Sequence, residues 1–332
     1  MLFIIGPART GPLMKKIASL LEDAGRPASV IATEGHQLLD FSQLAQATVL
    51  VCMMTLCGAR EMEAMPELRG IVSPLLGYEW IDVEEATRRS IPVVNGEIRE
   101  SRESMAEATI MLVLALLYRL RETEAQLRVG GERVQHRNML KGRTVGIVGY
   151  GGIAREILHR LKGWQATILV HTRQAQENEE GISFVSSEHL LAASDVVLLM
   201  TRLDDGSRHW LDRSRMQLMK RGVLLVNTAR GGLVDEDALV EALQSGQVGA
   251  AALDVFEIEP LPARHPFRQL PNVILTPHSV GHTVQMIEQI PRTAVANILA
   301  LLDGKLPESC RNKSLLTPVK DQLTGVRTKE TI

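Results

Sequence analysis

Three side chains in the second half of this chain suit proton transfer to a carboxylate-bearing substrate. Arg230 stands in Asn227-Thr228-Ala229-Arg230-Gly231-Gly232, Glu259 in Asp254-Val255-Phe256-Glu257-Ile258-Glu259-Pro260, and His278 in Thr276-Pro277-His278-Ser279-Val280-Gly281. Each follows a short apolar run that reads as a buried strand, and open α/β sheets take their ligands at the C-terminal ends of strands. An arginine presents a planar fork that binds a carboxylate bidentately. A histidine gives and takes a proton near neutral pH, and a neighbouring carboxylate fixes its ring and favours the imidazolium. Together the three can hold a 2-keto acid and protonate its carbonyl while a nicotinamide delivers hydride. Taken singly, the arginine reads as a solvated or structural cation and the histidine as a turn residue; their joint placement favours chemistry.

The element that must position such a reaction is the stretch Thr144 to Arg173. It reads as a strand, Thr144-Val145-Gly146-Ile147-Val148, then Gly149-Tyr150-Gly151-Gly152-Ile153-Ala154, a helical run to Gly163, and a second apolar run from Ala166 to Val170. The turn has the form G-x-G-x-x-A. Gly149 lets the chain turn sharply out of the strand, Gly151 lets backbone approach a pyrophosphate, and Ala154 lets the helix pack closely on the sheet. The helix N-terminus then offers N–H groups and a partial positive charge to the phosphates. Without a ligand the same glycines make a tight strand–helix turn.

Around this unit the chain alternates strands and helices. Strands are expected at Leu2–Ile5, Ser29–Ile31, Thr48–Cys52, Gly70–Ser73 and Ile91–Val94, with helices at 13–22 and 83–89. After a long helix from Ser104 to Leu120 and a polar connection from Gln126 to Arg143, at least six strands from Thr144 to Leu275 make up a doubly wound dinucleotide domain. The long helix is apolar nearly all round, so more than one face needs cover. A final helix spans His282 to Asp303, and the tail to Ile332 is polar. Gly6-Pro7-Ala8-Arg9-Thr10-Gly11 lacks the lysine and hydroxyl of a phosphate loop and reads as an ordinary loop.

Composition narrows the function classes. The 332 residues suffice for two domains, and the 45% hydrophobic and 23% charged balance is that of a soluble globular protein. A net charge of −2 without a long basic block argues against nucleic acid or an anionic membrane as partner. Cys52, Cys57 and Cys310 are too few for a disulfide framework and lack zinc-ligand spacing, so no metal site and a reducing, cytoplasmic setting are expected.

On Gly149-Tyr150-Gly151-Gly152-Ile153-Ala154, Asn227-Thr228-Ala229-Arg230-Gly231, Asp254-Val255-Phe256 with Glu259-Pro260, and Thr276-Pro277-His278, the sequence resembles the D-isomer-specific 2-hydroxyacid dehydrogenases. The likeness also takes in Leu68-Arg69-Gly70-Ile71 through Ile81-Asp82-Val83, Ser90-Ile91-Pro92-Val93 and Met105-Ala106-Glu107, and spans about residues 45 to 305. It implies an α/β fold of two doubly wound parallel-sheet domains with an active-site cleft between them. A flavodoxin-like substrate domain would comprise residues 1–100 and 284–332, and a Rossmann cofactor domain residues 101–283. A homodimer through the cofactor domain is also implied.

Carried over residue by residue, the resemblance makes His278 the acid/base, Glu259 its partner, and Arg230 the group that binds the substrate carboxylate and carbonyl oxygen. The backbone at Leu75, Leu76 and Gly77 would receive the carboxylate. The cofactor would meet Thr109, Gly149, Gly151, Gly152, Ile153, His171, Thr172, Arg173, Thr201, Thr228, Ala229, Asp254 and Gly281. Relatives acting on formate carry glutamine where this chain has Glu259, which disfavours that activity. Two positions depart from the pattern. Leu75 replaces the first glycine of the substrate loop. At the end of the second Rossmann strand, Thr172 stands where an NAD enzyme has an acid about 20 residues beyond the glycines. Thr172 removes the repulsion of a 2′-phosphate and Arg173 supplies a cation, so NADP(H) is expected over NAD(H), which stays possible. The expected function is reduction of a small 2-keto acid such as glyoxylate or hydroxypyruvate. The alternatives are an NAD-dependent biosynthetic dehydrogenase acting on a substrate like 3-phosphoglycerate, and a non-catalytic dinucleotide-sensing scaffold of the corepressor type.

Overall fold

A computed structural model describes residues 1–35, 37, 41–131, 136–174, 176–314 and 316. The chain divides into two compact units, one of residues 1–101 and 283–332, the other of residues 102–282.

The first unit holds a five-stranded parallel sheet: β1 (Leu2–Pro7), β2 (Ala28–Thr33), β3 (Val49–Cys52), β4 (Ile71–Val72) and β5 (Val93–Val94), in the order β2-β1-β3-β4-β5. Helices α1 (Gly11–Asp23), α2 (Ala59–Glu63) and α3 (Val83–Arg88) connect them. Strands covered on both faces need apolar residues at consecutive positions, and β1 and β3 are buried along their whole length. The 3-10 turn Ala8–Thr10 fills the loop after β1.

The second unit begins within α4 (Arg99–Leu117), which is followed by α5 (Leu120–Arg128). One apolar helix was expected to run to Leu120. Arg119 instead takes a left-handed backbone, φ 48°, and breaks the run into two helices. Part of the expected connection after Gln126 is thus still helix, and its residues 132–135 lie outside the described residues, as do 315 and 317–332 of the tail. Leu112, Val113, Leu116 and Leu117 of α4 are buried in a core with β6 (Thr144–Val148) and α6 (Gly152–Leu161), whereas Met111 stays half exposed.

Seven strands form the second sheet: β6, β7 (Thr167–His171), β8 (Ile182–Phe184), β9 (Val196–Leu199), β10 (Val223–Asn227), β11 (Val248–Leu253) and β12 (Val273–Leu275). Their order is β12-β11-β10-β9-β6-β7-β8, with every pairing parallel. Between them lie α7 (Ser187–Ala193), α8 (Arg213–Leu218) and α9 (Glu236–Ser245). Both units are therefore doubly wound α/β layers, as expected, and the second has seven strands where at least six were anticipated. The buried face of α6 is Ala154, Ile157, Leu158 and Leu161, a spacing of three and four that puts them in one stripe against β6 and β7. The chain then returns to the first unit through α10 (Val284–Leu302), whose Ala294, Ile298 and Leu301 join Leu2, Ile4, Met14 and Ile17 in one core. Among the described residues, no helix is long and apolar enough to cross a membrane.

Candidate active site

The strand order reverses at β6: the chain steps to β7 on one side and later to β9 on the other. Loops leaving β6 and β9 in opposite directions leave a crevice at their C-terminal ends, where open α/β sheets take ligands. Gly149 fills this corner with φ +106°, and a Cβ there would stand 2.7 Å from the Met200 carbonyl oxygen. Only glycine meets both demands. Its N–H donates to the His171 carbonyl at 2.8 Å, tying the turn to the end of β7. Next comes the N-terminus of α6, where Gly151 is the N-cap and no side chain caps the helix. A Cβ on Gly151 would have no atom within 4 Å, so there is open space on the flank of this helix end. A Cβ on Gly152 would press on the Arg102 side chain at 2.6 Å, so this arginine lies directly against the start of α6. An uncapped helix end with room beside it fits a pyrophosphate.

Downstream, the three chemistry-bearing side chains lie on loops after β10, β11 and β12. Asn227, buried at the end of β10, donates from its amide to the Arg230 carbonyl at 2.9 Å and accepts from the Ala229 N–H at 3.1 Å. This clamp fixes the peptide that carries Arg230, whose guanidinium donates to the Ala229 carbonyl at 2.7 Å. Gly231 follows because its Cβ would stand 1.9 Å from the Phe256 carbonyl carbon: the loop after β10 lies directly on the loop after β11.

Glu259 and His278 form a pair, Nδ1 to Oε2 at 2.7 Å. The other carboxylate oxygen of Glu259 accepts from the Phe256 N–H at 3.0 Å. Burial pushes the Glu259 carboxyl up, but the hydrogen bond from His278, the Phe256 N–H and the charges of His278 and Arg230 together outweigh it and hold the group below its usual range. A carboxylate only accepts, so Nδ1 carries the proton in this pair and Nε2 is left to face a substrate.

The His278 backbone is left-handed, φ 53°, which is uncommon outside glycine. Asp254 holds it there. Its Oδ1 accepts from the Thr276 hydroxyl at 2.7 Å and from the N–H groups of Ser279 and Val280 at 3.0 and 3.1 Å, and its own carbonyl accepts from the His278 N–H at 2.8 Å. The resemblance implied that Asp254 meets the cofactor; the structure gives this carboxylate, 2% exposed, the task of bracing the loop that carries His278. His282, not anticipated, lies in the same cluster. Burial lowers its pKa, the Asp254 carboxylate opposes, and His278 adds to the lowering.

The other residues expected to meet cofactor or substrate are placed as follows. Thr109 has no exposed surface: its hydroxyl bonds to the Met105 carbonyl at 2.7 Å and to Thr228 Oγ1 at 3.0 Å. It therefore supports Thr228. Thr228 is buried, and Ala229, Ile153, Thr172 and Thr201 are half-buried. Gly281 is buried, its carbonyl accepting from the Ser104 hydroxyl at 2.8 Å. In the first unit, the carbonyls of Leu75, Leu76 and Gly77 accept from the Gly96 N–H, the Asn95 amide and the Ser73 hydroxyl at 2.9, 2.7 and 2.7 Å. That fixes how the three peptides are turned.

At the far end of β7, His171 donates from Nδ1 to the Val185 carbonyl at 3.1 Å and stacks on Trp210, ring centroids 6.0 Å apart. Arg173 is not simply solvated. Asp204, from the loop after β9, takes its guanidinium bidentately at 2.6 and 3.3 Å. The acid missing from position 172 thus reaches this end of the crevice from another loop. Asp204 and Trp210 were beyond sequence reasoning, because 31 residues separate Arg173 from its partner.

Residues 110–280 match the family described as "D-isomer specific 2-hydroxyacid dehydrogenase, NAD binding domain". A glyoxylate reductase of Thermofilum pendens is 34% identical over 280 residues, 80% of this chain and 82% of its own length. The crystal structure of a glyoxylate reductase from Paecilomyes thermophila matches at TM-score 0.82 with 26% identity, covering 95% of this chain and 99% of that one. A D-lactate dehydrogenase from Aquifex aeolicus, solved with NAD and lactic acid, matches at TM-score 0.79 with 26% identity over 92% of this chain and 96% of its own.

Proposed function

The chain belongs to the D-isomer specific 2-hydroxyacid dehydrogenases, and from that premise we propose that it reduces a small 2-keto acid of the glyoxylate or hydroxypyruvate kind, with NADPH preferred over NADH. The observation that carries the reading is the Glu259–His278 pair at 2.7 Å on a loop braced by Asp254, with the charge of Arg230 acting on the same carboxylate.

The uncapped N-terminus of α6 and the open flank of Gly151 would hold the dinucleotide pyrophosphate. A bound reduced nicotinamide supplies the hydride that forms the new C–H bond at the keto carbon. Arg230 binds the substrate and polarises its carbonyl, so negative charge developing on the oxygen meets a fixed cation. His278 gives the proton on Nε2 to that oxygen, and Glu259 holds the ring through Nδ1 and stabilises the imidazolium before the proton leaves. Overall one hydride and one proton convert the carbonyl to an alcohol, and His278 regains its proton from water. Glyoxylate gives achiral glycolate, and a 2-ketone such as hydroxypyruvate gives a 2-hydroxy acid of D configuration.

The NADPH preference is supported by Thr172 and Arg173 at the end of β7. A homodimer through the cofactor-binding unit belongs to the same reading. Apolar side chains exposed on that unit, Met111, Leu120, Leu127 and Val129, support it.

Loss of reduced-nicotinamide absorbance with glyoxylate, hydroxypyruvate, pyruvate and longer 2-keto acids, each with NADPH and NADH, tests the proposal. Fastest turnover with the two smallest acids and NADPH is expected. Tight dinucleotide binding without turnover of any acid would favour the non-catalytic scaffold.

A further inference from the structure

Arg173 and Asp204 stand on the loops after β7 and β9, the two strands that flank β6. Their ion pair therefore spans the crevice mouth above Gly149. Asp204 lies within reach of two cations. Its Oδ2 is 2.6 Å from Arg173 Nη2 and 3.7 Å from Arg202 Nε, and the two arginine side chains are 56% and 76% exposed. The Arg173 hydrogen bond holds the Asp204 carboxyl below its usual range against the effect of burial, so at neutral pH this is an anion between two guanidinium groups. A carboxylate and a phosphate make the same demand on an arginine fork, two parallel N–H···O bonds in one plane.

We infer that Asp204 is a specificity-determining residue, an internal anion that occupies the Arg173 fork a 2′-phosphate would use and so restrains the preference for NADP(H) over NAD(H). The inference rests on the proposed role of Arg173 toward that phosphate. Binding of the phosphorylated cofactor exchanges the Asp204 carboxylate for the 2′-phosphate at Arg173. Asp204 then remains as a nearby negative charge, which disfavours the phosphate further. A cofactor without the 2′-phosphate needs no such exchange.

The carboxylate can be removed without disturbing its turn. The Asp204 N–H is bonded to the Ser207 hydroxyl at 2.8 Å, and its carbonyl accepts from the N–H groups of Ser207 and Arg208 at 3.0 and 2.9 Å. The Ser207 hydroxyl also donates to the Arg202 carbonyl at 2.8 Å. The substitution Asp204→Asn keeps these backbone bonds and nearly the same volume, and removes the negative charge and one of the two acceptor oxygens that face Arg173.

The test is calorimetric binding of NADPH and NADH to the full-length protein and to D204N, R173A and the double variant, with thermal unfolding as a check on folding. D204N is expected to bind NADPH about fivefold more tightly, the scale of one solvent-exposed ion pair, while NADH changes by less than about twofold. R173A is expected to weaken NADPH alone, and in the double variant the gain from D204N should vanish, since the two residues share one interaction. If R173A weakens NADPH but D204N leaves it unchanged or weaker, Asp204 merely holds Arg173 in place and the inference is overturned while the cofactor reading stands. If R173A leaves the ratio of NADPH to NADH affinity unaltered, the cofactor reading fails, and the inference with it.

Discussion

At one place on the C-terminal edge of the seven-stranded sheet, Glu259 meets His278 at 2.7 Å; at another, Arg173 meets Asp204 at 2.6 Å. The two pairs are alike in length and in exposure, with side chains 35% and 48% exposed in the first and 56% and 34% in the second. What separates them is the support behind each. The His278 loop hangs on a buried carboxylate, Asp254, with three donors on one oxygen. The Asp204 turn is held by the Ser207 hydroxyl and by backbone, and its carboxylate faces the exposed guanidinium groups of Arg173 and Arg202. A proton donor must be held within a fraction of an ångström of its target, whereas a charge that selects between cofactors acts through a broad Coulomb field. The geometry of each pair matches that difference in demand.

The largest effect that would sharpen the contrast is at the substrate cation. Arg230→Ala should lower kcat/KM by about a thousandfold, the scale of a lost charge-assisted contact in a transition state, with dinucleotide affinity retained. Steady-state kinetics beside direct NADPH binding would show it, and parallel loss of both would instead mean a collapsed loop.

Asp254→Ala comes next. It strips the partner from the Thr276 hydroxyl and from two backbone N–H groups, in a place 2% exposed. Stranding such donors costs about 3 kcal/mol in urea unfolding. Asp204→Asn, at the unbraced pair, should leave unfolding within about 0.5 kcal/mol of the wild type. Equal losses in the two variants would erase the contrast.

A smaller effect appears in pH. Glu259 has a folded-state pKa held below its unfolded value, which is about 4.3 for an ordinary glutamate. A depressed carboxyl stabilises the fold above the unfolded value, and that contribution is lost as pH falls through the folded one. The stability difference between wild type and Glu259→Gln should therefore be constant near neutrality and shrink as pH drops below about 4. A difference that instead grows on acidification would mean that Glu259 is held protonated.

Much of this arrangement was legible before folding because its signals are local. The apolar runs at β1, β3, β6, β9 and β10 announced strands buried on both faces, and the glycine turn announced the crevice. Strand β8 was missed: Ile182, Ser183 and Phe184 are all only half-buried at the sheet edge, so they lack the buried run that marks the others. The break at Arg119 was invisible too, since nothing in an apolar helical pattern marks one left-handed residue. Arg230, Glu259 and His278 were found through their neighbours in sequence. The braces were not, because Asp254 reaches Thr276 across 22 positions and Asp204 reaches Arg173 across 31. Such pairings exist only once strands are laid side by side.

In the proposed reaction His278, oriented by Glu259, gives the proton that completes reduction of a 2-keto acid. The most direct measurement is turnover of glyoxylate and hydroxypyruvate by His278→Gln, with NADPH binding measured on the same sample. A fall in kcat by about a hundredfold or more, the usual share of a positioned acid, with NADPH binding and thermal unfolding unchanged, is the predicted result. Turnover close to that of the wild type would contradict it.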